Sequence, residues 1–157
     1  MNNLYNFLEK YRNKNIVLGF SGGNDSSCLA YVLKFFGFNI TPIFVSTELT
    51  KKYLPIAEKN AKIIGIDLKV INLKILKIKE IRLNSRMRCY YCKREIYSNI
   101  KKIFKNCIIF DGTNYSDTFS YRPGIKALEE LEIISPFKEC KIHKQEIIKF
   151  LKKITQI

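Results

Sequence analysis

The sequence predicts an α/β fold, a doubly wound, mostly parallel five-stranded sheet with helices on both faces. Three observations carry that expectation. Short apolar runs alternate with longer amphipathic stretches along the chain. Two of the runs, IVLGF at 16–20 and CIIF at 107–110, show no polar alternation, as expected of strands covered on both faces. The first run ends in Ser-Gly-Gly-Asn-Asp-Ser-Ser at 21–27, and a helical pattern follows at once.

In chain order, MNNLYNFLEKYRNK spaces Leu4, Phe7, Leu8 and Tyr11 as a helix does and holds no signal-peptide apolar core. Strands are expected at 16–20, 40–46 (ITPIFVS), 68–74 (LKVINLK), 107–111 (CIIFD) and 132–135 (EIIS). Helical periodicity fills 26–36, 51–64, 88–105, 123–130 and 143–154. Segment 75–94 fits this plan least and is expected to run over the sheet's carboxyl edge, where open α/β sheets bind ligands. No repeat, low-complexity stretch or linker divides the chain, so residues 1–157 read as one domain.

A chain of 157 residues supports one sizeable core and not two. No apolar run approaches the ~20 residues that span a bilayer, so no membrane role is expected and the protein is assigned to the cytoplasm. Lys+Arg 28 against Asp+Glu 14 leave a net charge of +14, with the lysines scattered along the chain. Such a charge suits RNA or any polyanion, ATP included, and selects none of them. Five cysteines without a secretion signal argue against a disulfide framework and for metal, redox or core roles.

Gly22 and Gly23 leave no Cβ between backbone and ligand, and the helix opening near Asp25 aims unpaired N–H groups and its positive end at the turn. The hydroxyls of Ser21, Ser26 and Ser27 add donors to this anion cradle. A plain βα turn capped by Asp25 is the alternative for the glycine pair alone. The whole string lacks the Gly-Lys-Ser/Thr end of the Walker A loop and the G-x-G-x-x-G spacing of dinucleotide binders. It resembles the SGGxDS loop of the PP-loop (N-type) ATP pyrophosphatases, a superfamily with an adenine nucleotide alpha hydrolase-like, Rossmann-like fold. Its members include tRNA sulfur transferases, GMP and NAD synthetases and LarE-type sulfur transferases.

The resemblance implies that ATP binds with its β,γ-pyrophosphate in this loop while a substrate oxygen attacks the α-phosphorus, with Mg²⁺ sharing the charge. It implies nucleotide contacts from Gly19, Phe20, Ser21, Gly22, Gly23, Asp25, Ser26 and Ser27. Val45 and Ser46, followed by Thr47, match where the family lays the adenosine. Asp25 and Ser26 are the implied catalytic residues of the loop.

A second segment, 111-DGTNYSDTFSYRPG-124, looks like the DGTN-x-x-D … RPG element of LarE-type proteins. There Gly112 and Thr113 would let the backbone approach the α-phosphate, Asp117 would bind metal, and Arg122 would pair with phosphate or an acidic substrate through its planar fork. As an ordinary loop the same residues would make local turn bonds, with Pro123 starting a helix.

In 86-RMRCYYCKREIYSNI-100, Cys89 and Cys92 are spaced so that both thiols can face one ion, and Arg86, Arg88, Lys93 and Arg94 should favour thiolates. One C-x-x-C is half a usual zinc site. RCYYCK is similar to the RCY-x-CK segment of LarE-type proteins that carry a [4Fe–4S] cluster on three cysteines, whose open iron holds a sulfide. Cys140 is the expected third ligand. Cys107 starts a buried strand and Cys28 shares a face with Leu29, Val32 and Phe36, so both read as core. Zn²⁺ is the alternative occupant.

His143 reads as a helix N-terminal residue, and Tyr90 and Tyr91 as walls of the pocket. The expected activity is ATP-dependent adenylation with release of AMP and pyrophosphate, then sulfur transfer to a small molecule or tRNA from a sulfur donor. An ammonia-using PP-loop synthetase, and a nucleotide-binding subunit without turnover, are the alternatives. Relatives' C-terminal domain has no counterpart in the 157 residues, so self-association or a partner subunit is expected to supply substrate recognition.

Overall fold

Four of the five expected strands form. A computed structural model describes residues 2–154. β1 (Ile16–Gly19), β2 (Ile40–Ser46), β3 (Lys69–Asn72) and β4 (Ile108–Phe110) make one parallel sheet in the order β3-β2-β1-β4. Ile16 of the central strand registers with Ile40 on one side and Ile108 on the other.

The fifth strand requires correction: residues 132–135 contribute an isolated parallel bridge between Ile134 and Phe110. Glu132 sits in the left-handed region at φ 57°, which breaks the extended run on one side. Pro136 opens the next helix without an N–H to give a ladder on the other. Too few residues are left between them for a strand.

The helices are α1 (Asn2–Glu9), α2 (Asn24–Phe35), α3 (Leu54–Ile64), α4 (Lys79–Arg82), α5 (Arg88–Ile103), α6 (Pro123–Glu130), α7 (Pro136–Glu139) and α8 (Lys144–Ile154). Short 3₁₀ turns cover Lys51–Tyr53 and Tyr115–Phe119. Among the described residues no helix is long and apolar enough to cross a membrane.

Strand alternation sorts the apolar side chains into two cores. Ile16 and Leu18 of β1, Phe44 of β2 and Phe110 of β4 pack with Leu4, Leu29, Ala57, Phe137 and Ile147 from α1, α2, α3, α7 and α8. Val17, Ile43 and Ile109 project the other way, onto Tyr97 and Ile100 of α5 and Leu128 of α6. Both faces are covered, which is why β1 and β4 are apolar throughout. Each fully buried Leu or Phe here contributes roughly 1.5–3 kcal/mol relative to exposure.

From β1 the chain winds outward through β2 to β3, then crosses back to place β4 on the opposite side of β1. The switch in direction therefore lies between the carboxyl ends of β1 and β4. The loops at 20–23 and 111–114 emerge there side by side, at the place where doubly wound sheets form a ligand crevice.

Candidate functional site

The turn after β1 is built for close backbone approach. Gly22 adopts φ 77°, and a Cβ on it would lie 2.5 Å from the Ala57 Cα of α3. Neither the dihedral nor the space admits a side chain. Gly23 is extended, at φ −75° and ψ 171°, and precedes α2 with no side-chain capping bond. The helix begins at Asn24, so Asp25 is a first-turn residue and not its cap. The first turn's amides thus keep the unpaired donors and positive end that attract anions.

Ser26 ties the turn together. Its hydroxyl accepts from the Ser21 N–H at 3.2 Å, donates to the Gly23 carbonyl at 3.3 Å, and lies 3.1 Å from the Ser21 hydroxyl. The Ser27 Oγ is buried without a partner.

The loop after β4 locks onto this helix end. A Cβ at Gly112 would stand 2.9 Å from the Ser26 nitrogen, so only glycine leaves that amide clear. Asn114, 1% exposed, donates through Nδ2 to Asp25 Oδ2 at 3.0 Å and through its backbone N–H to Asp117 Oδ2 at 3.2 Å. Its Oδ1 is buried and unpartnered. Lys144, at the start of α8, places Nζ 2.5 Å from Asp25 Oδ1, and Arg122 pairs with Asp117 Oδ1 at 3.2 Å. Two carboxylates flanking an orphaned amide oxygen are a hard-oxygen set that fits Mg²⁺.

Between these loops and α5 lies a cavity of about 440 Å³. Gly19, Phe20, Ser21, Asp25, Ser26, Val45, Gly112 and Thr113 line it, together with Asp117 and Arg122. Gly22 is instead buried against α3, Gly23 is exposed and Ser27 is buried, and none of the three lines the cavity. The Ser46 carbonyl turns toward β3 and accepts the Leu73 N–H at 2.9 Å. Tyr53, Tyr97 and Tyr121 wall the cavity, in place of the expected Tyr90 and Tyr91.

Cys89 and Cys92, on the first turns of α5, both line the same cavity. Burial pushes the Cys92 thiol above its ordinary range, and the charge of Lys93 only partly opposes this, contrary to the thiolate expected there. Cys140 does not join the pair. It ends the four-residue α7, with Sγ 3.8 Å from the Asn3 carbonyl, in a hollow beside α1. Cys28 is fully buried, its thiol pushed up to about 12 by burial and by Asp25. Among the described residues no three His, Cys, Asp or Glu side chains gather as a metal site. Among the described residues, therefore, neither the three-cysteine set for a [4Fe–4S] cluster nor a complete zinc site is assembled.

Two residues whose pairing the spacing did not reveal complete the cavity. Asp111, 2% exposed, accepts from the Thr113 N–H at 3.1 Å, the Thr113 hydroxyl at 2.9 Å and the Ser135 hydroxyl at 2.6 Å. It also pairs with Lys93 Nζ at 3.4 Å. Burial disfavours the Lys93 charge, but Tyr97 and Asp111 outweigh it and raise its pKa, so an ammonium faces the cavity.

No family model matches the chain. It is 38% identical over 152 residues to an uncharacterised protein of Methanocaldococcus jannaschii, covering 95% of this chain and 58% of that protein. It is 30% identical over 138 residues to the pyridinium-3,5-bisthiocarboxylic acid mononucleotide synthase of Lactiplantibacillus plantarum, covering 84% and 50% of the two chains. The chain thus spans about half the length of the curated relatives it matches. Its fold superposes with a TM-score of 0.69 on the NH3-dependent NAD synthetase of Campylobacter jejuni, at 20% identity, covering 98% of this chain and 70% of that one. With its glycine turn, helix end and β4 loop converging at the sheet's switch point, the chain belongs to the PP-loop ATP pyrophosphatase superfamily, close to the LarE-type proteins.

Proposed function

We propose that this chain adenylates an acceptor oxygen with ATP, releasing pyrophosphate, and that a sulfur nucleophile then displaces AMP. The carrying observation is the convergence of Ser21, Asp25 and Ser26, of Gly112 and Thr113, and of Cys89 and Cys92 on one cavity. The triphosphate tail would lie against the open amides of α2, whose fixed donors stabilise charge growing on the leaving pyrophosphate. Gly112 clears the approach to the Ser26 amide. Asp25, Asn114 and Asp117 would hold Mg²⁺, which when bound offsets phosphate charge. Val45 and Phe20 line the apolar end suited to the adenine.

The second half-reaction draws support from the two thiols in the nucleotide cavity and from the named chemistry of the Lactiplantibacillus plantarum relative. With only two cysteines present at the site, no step is assigned to a cluster. A sulfur donor and the acceptor complete the proposed reaction.

Product analysis with ATP and Mg²⁺ tests this reading. AMP with pyrophosphate is expected, and Asp25→Ala should abolish their release. ADP with phosphate would overturn it.

A further inference from the structure

The floor of the cavity holds a buried hydroxyl that the proposed chemistry leaves idle. Tyr97 of α5 is 4% exposed and packs in the core of Val17, Ile43 and Ile109. Its hydroxyl reaches the end of β1, where a Cβ on Gly19 would collide with Tyr97 Oη. Tyr97 and Gly19 both line the cavity, and among the described residues that hydroxyl has no hydrogen-bond partner. Burial raises its pKa, so it stands as a neutral O–H. Lys93, one turn earlier, sets its ammonium 5.4 Å from the ring centroid. A cation over the ring draws charge off the phenol oxygen and favours it as a donor.

The cavity around this hydroxyl is otherwise apolar. Ile43, Val45 and Ile96 line it, and the Thr50 hydroxyl beside Val45 already donates to the Val45 carbonyl at 2.8 Å. We infer that the Tyr97 hydroxyl donates to a ring nitrogen of adenine, so that α5 recognises the base together with the strand ends. The inference rests on the adenylation reading, which brings ATP to this cavity, and deepens it by naming a residue that reads the base. A flat heterocycle suits aliphatic walls, but its ring nitrogens lose water there, and one left unpaired weakens binding. Ribose and phosphates need several polar partners, and those gather elsewhere in the cavity, at Ser21, Ser26, Gly112 and Thr113. A base held by Tyr97 also bears on the helix whose first turns carry Cys89 and Cys92.

Calorimetry on the full chain with Mg²⁺ and ATP, 1-deaza-ATP, 3-deaza-ATP or 7-deaza-ATP tests the contact. Tyr97→Phe keeps the ring and should weaken ATP binding by about 2- to 12-fold, the range of one hydrogen bond. The analogue that lacks the paired nitrogen should bind the parent protein more weakly to the same degree and lose nothing further in the variant. The other two should follow ATP. Thermal unfolding of the free protein should not change. Unaltered ATP affinity in Tyr97→Phe would overturn the proposal. So would an equal loss against all three analogues, which moves the hydroxyl off the base, or a lower melting point, which gives it a partner inside the fold. A chain with no affinity for adenine nucleotides would remove this contact and the adenylation reading together. A hydroxyl-dependent base site in a chain that yields ADP would sink that reading and leave Tyr97 in its role.

Discussion

Lys144 reaches back across 119 positions of sequence to set its ammonium 2.5 Å from Asp25 Oδ1, while Asn114 holds the other carboxylate oxygen at 3.0 Å. The carboxylate in the first turn of α2 is therefore oriented by two elements that arrive much later in the chain. The pair is partly exposed, with 40% and 23% of the two side chains accessible, so its contribution to stability is below about 1 kcal/mol. Its consequence is for the charge at the glycine turn.

Lys144→Gln removes a cation that competes with Mg²⁺ for the Asp25 carboxylate. Half-maximal pyrophosphate release is expected at about tenfold lower Mg²⁺ than in the parent protein. Thermal unfolding should move little. A titration of rate against Mg²⁺ for both proteins checks the point, and coincident curves would remove Lys144 from the site.

Gly112→Ala inserts a methyl 2.9 Å from the Ser26 nitrogen and 3.1 Å from its Cα. Both neighbours are helix backbone and have little room to retreat. Destabilisation of about 1–3 kcal/mol is expected from overpacking, together with loss of ATP affinity. Urea unfolding and calorimetry measure the two effects separately.

The cysteines should react in an order set by their surroundings. Cys89 is exposed, Cys92 is half-buried with a raised pKa, and Cys28 is fully buried. Iodoacetamide near neutral pH followed by mass mapping should therefore modify Cys89 first, Cys92 more slowly and Cys28 only after unfolding. Early modification of Cys28 would contradict this packing.

Alkaline pH should weaken the fold. Cys28 ionises near 9 when free and at about 12 in place, so between these values the folded chain holds a proton that the unfolded chain has lost. The stabilisation is complete below pH 9 and drains away as pH climbs through the folded value. Cys28→Ala costs core packing at neutral pH but should flatten the decline between pH 9 and 11. Denaturant midpoints across that range test the slope.

What could be read in advance divides along the range of the interactions involved. The glycine turn, the apolar β1 and β4 and the C-x-x-C helix are written in neighbouring residues, and their local chemistry is enough to place them. EIIS at 132–135 looked like a strand because its composition is right. Its failure comes from the left-handed Glu132 and from Pro136, which leave room for the single bridge at Ile134.

The site's cations were hidden by a different cause. Lys93 stands out locally only as a cation beside the two cysteines, nothing local distinguishes Lys144 among 28 basic residues, and only folding brings the two to Asp111 and Asp25. Cys140 misled for the converse reason. It sits close in sequence to the sheet edge, but the tight turn of α7 aims it at α1 and away from Cys89 and Cys92.

The sheet keeps two separately packed interiors apart, and the cavity opens where its rim touches both. One interior carries the glycine turn through α2, and the other carries the thiols and Lys93 through α5. In the proposed reaction, energy extraction and acceptor chemistry would ride on different foundations. Substitutions accumulating beneath α5 and α6 would then retarget the acceptor while the half built on α2 stays as it is.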